Sequence, residues 1–226
     1  MPQPTPFLRL ILALSLLAGF LTPAPAQPVQ DPPPDASTPC CGPITPAARQ
    51  LLQVLDGADV EHLWLTHQHV DWLSGREDSS VSPSAPGHST HCSAFAAAIG
   101  ERVGVYLLRP PEHGQVLLAN AQTAWLGSEA ARAQGWQGVE GPLAAQSLAN
   151  QGQLVVVSFA SPNPRRPGHI AIVRPSLKST EALAADGPEI TQAGASNHSD
   201  WTARRGFAHH AGAWPDGVRY FAHALP

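Results

Sequence analysis

Strand-forming segments crowd into the second half of this chain, behind a first half of helix-forming ones. Residues 153–159 (QLVVVSF), 169–173 (HIAIV), 189–193 (EITQA) and 218–223 (VRYFAH) carry β-branched and aromatic residues between turn-forming Gly, Pro and Asn. Ahead of them, Thr45-Pro46 pairs a capping hydroxyl with a proline at the first helical position, and Asp56-Gly57 ends that helix near Leu55. Residues 92–99 are Ala-rich and helical, residues 114–126 suit a second helix, and Gly141-Pro142 opens a third that runs to about Asn150. Val103–Leu108 reads as extended. Helices first and strands later predict an α+β fold, with N-terminal helices packed on an antiparallel sheet, rather than a doubly wound α/β fold.

The N-terminus reads as a signal peptide over residues 1–26. Arg9 supplies positive charge, residues 10–21 (LILALSLLAGFL) form an apolar run, and Ala24-Pro25-Ala26 offers small residues for cleavage. That run is shorter than the roughly 20 apolar residues of a bilayer span, so no stable membrane span is expected after cleavage. Residues 27–46 hold seven prolines from Pro28 to Pro46 and read as an extended spacer. Residues 47–226 are then one domain, secreted or periplasmic. A net charge of −4 without a basic cluster argues against a nucleic-acid partner. The chain has three cysteines. Cys40 and Cys41 are adjacent, so a vicinal bridge, an intermolecular bond or a bridge from either to Cys92 are the alternatives, and an odd thiol remains.

Cys92 is the odd thiol inside the domain, and it sits at a helix start. The first helical turn carries partial positive charge and unpaired N–H groups, which predicts a lowered thiol pKa and donors for an oxyanion. The Ser/Gly/Pro-rich loop before it suits an approachable site. His169 follows the Pro167-Gly168 turn and opens a strand, where an imidazole can point toward a helix terminus. A third group must orient that ring. An antiparallel neighbour carrying EITQAGASN brings Gln192 or Asn197 within reach. The residues His113, His209 and His210 read as surface or turn positions. Trp125, Trp136, Trp201 and Trp214 read as core or groove-rim residues.

A cysteine at a helix start, an LVVVSF strand, a PGHIAIV strand and a later strand ending in amides together resemble papain-like cysteine hydrolases of the NlpC and CHAP amidase/peptidase type. The terminal VRYFAH resembles the last CHAP strand, and the resemblance covers roughly residues 88–226. It implies a papain-like fold and a cell-wall hydrolase without a cofactor. It also implies peptidoglycan or a related peptide as substrate, Cys92 as nucleophile, His169 as base and Gln192 or Asn197 as orienter.

Residues 65–75 (LTHQHVDWLSG) carry a competing motif. His67, His69 and Asp71 follow strand-like residues and resemble the HxHxDH signature of metallo-β-lactamase-type hydrolases, with Trp72 where the final His stands. A zinc-dependent hydrolase is therefore the alternative, although the expected site holds no metal. A wall-binding module without catalysis is another. Trp64, Asp71 and Trp72 can also line a substrate groove beside the Cys-His pair.

Overall fold

The computed structural model describes Met1, residues 39–82 and residues 90–226. The expected leader beyond Met1, and the spacer up to residue 38, lie outside the described residues. Helix α1 (Pro46–Asp56) begins where Thr45 Oγ1 accepts from the Ala48 N–H, and it buries Ala48, Leu51 and Leu55. Helix α2 (Cys92–Arg102) is buried from Cys92 to Gly100. Its run of alanines lets neighbours approach on every side, so it is a core helix rather than an amphipathic one. A Cβ on Gly100 would lie 2.6 Å from the Val105 carbonyl oxygen, and the Val105 N–H bonds back to Gly100. Residues 103–108 therefore double back along α2 instead of forming the expected extended segment.

Helices α3 (Leu118–Leu126) and α4 (Glu129–Ala133), strand β1 (Gln137–Val139) and helix α5 (Gly141–Asn150) follow. Next come β2 (Leu154–Phe159), β3 (His169–Val173), α6 (Thr180–Asp186) and β4 (Glu189–Gln192). Strand β5 (His198–Thr202), helix α7 (Ala203–Phe207) and strand β6 (Arg219–His223) complete the order. The strands form one six-stranded sheet in the order β1-β6-β2-β3-β4-β5, and all its pairings are antiparallel. The fold is α+β, as the segment order implies.

Both faces of the sheet are covered. Leu154, Val156, Ile170, Ile172 and Phe221 join α1 and α2 in one core cluster. Val155, Val157, Ala171, Val173 and Tyr220 join Ala145 and Ala149 of α5, and Ala203 and Phe207 of α7, in the other. A strand buried on both faces has no polar side to show, which is why β2 reads as an unbroken apolar run. Each fully buried Val or Ile contributes about 1.5–3 kcal/mol over exposure.

Residues 39–45 are tied to this body. Pro39 bridges to Ser179, and the Cys40 N–H donates to the Lys178 carbonyl. Asn150 Nδ2 donates to the carbonyls of Gly42 (3.2 Å) and Ser176 (2.9 Å), while its Oδ1 accepts from the Ser176 N–H. Cys40 and Cys41 form a vicinal disulfide, which leaves Cys92 as the free thiol. Among the described residues, no helix is long and apolar enough to cross a membrane.

Candidate active site

His169 occupies the first position of β3 because Gly168 precedes it. A Cβ at 168 would lie 2.0 Å from the Phe159 carbonyl oxygen, so only glycine lets the chain enter the sheet there. His169 then pairs with Phe159 on β2. By the two-residue period it shares a face with Ala171 and Val173, the face toward α5 and α7. Its ring meets Phe207 edge-on (centroids 4.8 Å apart) and stacks on His210 (5.0 Å, planes 11° apart).

Gln192 reaches the same ring from β4. His169 Nε2 lies 2.9 Å from Gln192 Oε1. Gln192 Nε2 donates to the Ser196 carbonyl at 3.0 Å, which can only accept. That bond fixes the orientation of the amide, so Oε1 faces the ring and His169 Nε2 must carry the proton. Nδ1 is left as the basic nitrogen. Helix α7 makes room for this pair at Gly206, where a Cβ would lie 2.5 Å from Gln192 Oε1.

Cys92 reaches the same strand from the other side. Its helix packs on the face of Ile170 and Ile172, and the Ile170 N–H, one residue beyond His169, favours the thiolate form of Cys92. The register explains why that donor is available. The Arg174 N–H bonds to Glu189 on β4, so the N–H groups of Ile172 and Ile170 point the same way. The last β3–β4 pair is Ile172 with Thr191, and β4 ends at Gln192. The Ile170 N–H therefore points past the end of β4 and has no partner on that strand. No hydrogen bond joins the thiol and the imidazole among the described residues.

Both groups are neutral at rest. Cys92 is 4% exposed and His169 3% exposed. Burial pushes the Cys92 thiol pKa up, outweighing the N–H groups of Ile170, Ser93 and Cys92 and the Thr90 side chain, all of which favour the thiolate. This corrects the expected fall: the helix start is present, but desolvation exceeds it. Burial also drives the His169 pKa down to about 4, with the Gln192 bond opposing the shift and His210 adding to it.

The structure selects Gln192 over Asn197 as the partner of His169. Asn197 instead clamps the turn after β4 onto the loop after α1. Its Nδ2 lies 2.8 Å from the carbonyls of both Val60 and Leu63, and its Oδ1 accepts from the Gly194 N–H. That loop, residues 57–82, wraps the buried Trp64, whose ring lies against Gly75, where a Cβ would be 2.3 Å from Cδ2. It also supports α2, because His91 Nε2 donates to the Gln68 carbonyl at 3.1 Å.

The competing motif lies in this loop, not on a strand, so His67 and His69 do not line up on one strand face. His67 has a φ of 61° and is exposed. Asp71 accepts from the Ser74 N–H and hydroxyl within its own turn. Among the described residues, no group of three or more His, Cys, Asp or Glu is placed to hold a metal ion. Trp72 packs partly against the α2 core, with the Arg109 guanidinium 5.9 Å from its ring centre. His210 is the residue that sequence reasoning missed, since nothing in its spacing from His169 signals the stack. No protein-family model matches the chain, and a search of curated proteins finds no match.

Proposed function

We propose that this chain is a secreted or periplasmic cysteine hydrolase of the papain-like NlpC/CHAP type, cleaving amide bonds in peptidoglycan or related peptides. The observation that carries the reading is the His169–Gln192 hydrogen bond, which leaves Nδ1 basic on the residue next to Ile170, against whose face the Cys92 helix packs. The Cys40–Cys41 disulfide supports an oxidising compartment.

The neutral resting pair implies general-base activation rather than a preformed thiolate. This route requires substrate entry to bring the thiol within reach of the imidazole, because at rest the two approach β3 from opposite faces. The thiol proton passes to His169 Nδ1 as sulfur bonds to the carbonyl carbon. The N–H groups of Cys92 and Ser93, which favour the thiolate at the helix start, are the donors this reading assigns to the developing oxyanion. The C–N bond then breaks, and the imidazolium gives its proton to the leaving amine. Water hydrolyses the thioester with Nδ1 as base, which restores the neutral pair.

Digestion of purified sacculi tests this reading through the new amino groups released. The wild-type protein is expected to release them, and to do so equally in the presence of a chelator. Cys92→Ala is expected to be slower by at least about 10³-fold, the scale on which loss of a nucleophile is felt. Full activity in Cys92→Ala overturns the thiol mechanism, and loss to the chelator selects metal chemistry. Wall binding without turnover by the wild type selects a binding module.

A further inference from the structure

We propose that the cavity between β1, β6 and helices α5 and α6 is a saccharide-binding site, with Trp214 as its stacking face and the Tyr220 hydroxyl as its inner hydrogen-bonding group. The cavity encloses about 520 Å³, within the usual range of small-ligand sites. Trp214 is backed by Gly187, whose φ is +70° and where a Cβ would lie 2.4 Å from Cη2 of the indole. The glycine lets the ring pack close against the backbone, and the half-exposed indole lines the cavity.

Tyr220 lines the same cavity and is 6% exposed. Its hydroxyl makes no hydrogen bond with any described residue. A tyrosine hydroxyl without a protein partner at a cavity wall is satisfied by water or by a ligand. Burial pushes its pKa well above the usual range, so it stays a neutral donor. At the start of α5, Gly141 lines the cavity with its backbone, and the N-cap Glu140 makes no side-chain capping bond.

Charge points to a neutral ligand. The charged residues lining the cavity are Glu140 and Arg219, of opposite sign and both exposed. A sugar ring matches this set, since its C–H face stacks on an aromatic plane while its hydroxyls exchange hydrogen bonds at the edge. Tyr220 pairs with Val157, which pairs with Ala171, two residues beyond His169. The site thus lies two strands across the α5/α7 face from β3, about 10 Å at the usual strand spacing. It is independent of the thiol chemistry.

Tryptophan fluorescence and calorimetric titration with tri-N-acetylchitotriose, cellotriose and maltotriose test the assignment. Saturable binding of at least one is expected. Tyr220→Phe should weaken it about threefold to tenfold, the effect of one neutral hydrogen bond. Trp214→Ala should abolish it. Ala184→Phe should abolish it too, and because Ala184 is an exposed residue of α6 that lines the cavity, this variant fills the mouth without touching the core. Cys92→Ala should bind like the wild type. The proposal is overturned if none of the three sugars binds saturably, or if binding persists undiminished in both Tyr220→Phe and Ala184→Phe.

Discussion

Gln192 determines which imidazole nitrogen is basic, because its own amide is oriented by the Ser196 carbonyl. Gln192→Ala removes that control and is expected to lower kcat roughly 10–100-fold with a smaller change in KM. Gln192→Glu keeps an acceptor on Nε2 and adds negative charge, so it should raise the His169 pKa and move the acid limb of the pH–rate profile upward. The same histidine sets a stability dependence. Its folded pKa of about 4 lies below the ordinary 6.5, so the unfolded chain takes up the proton first as pH falls. The stability gained from keeping the ring neutral is full above 6.5 and is lost as pH falls through about 4. The difference is on the order of 3 kcal/mol for so buried a ring. Urea unfolding at pH 7.5 and pH 4 should show a loss of that order in the wild type and a smaller one in His169→Gln.

Strands β2 and β3 were legible because burial on both faces demands apolar runs, and β4 and β6 from β-branched and aromatic residues set between turns. Helices α1 and α5 were legible from Thr45-Pro46 and Gly141-Pro142. Strand β5 was not, since HSDWT is a polar sheet-edge segment that gains its structure from pairing with β4. Helices α6 and α7 are too short for a period to show, although Ser179 and Thr202 cap them. At the site, Cys92, His169 and Gln192 could be named from element order. Which face of β3 each approaches could not, because alternation groups His169 with Ala171 and Val173 but says nothing of which helix covers them. The entry of β3 depends on one atom-scale contact. Gly168→Ala drives a methyl group into the Phe159 carbonyl, so it should cost more than about 2 kcal/mol. It should also displace His169, which thermal unfolding and turnover would register together.

Across the whole molecule, a single sheet carries two helical layers, and the site forms at the edge where β4 ends early. Loop 57–82 braces this edge through its backbone carbonyls, which accept from His91 and Asn197. At a separate place, Asn150 fastens residues 39–45 to the stretch around Ser176. Asn150→Ala leaves several buried backbone groups unpaired and should cost about 2–3 kcal/mol. Hydrogen exchange should then rise at residues 40–45 while β2 and β3 stay protected. The central claim is that Cys92 becomes acylated during turnover. Acid-quenched mass spectrometry during digestion of sacculi fragments tests it most directly. The account predicts a covalent adduct on the Cys92-containing peptide that is absent in Cys92→Ala. Steady product release by Cys92→Ala, with no adduct on the wild-type thiol, would contradict it.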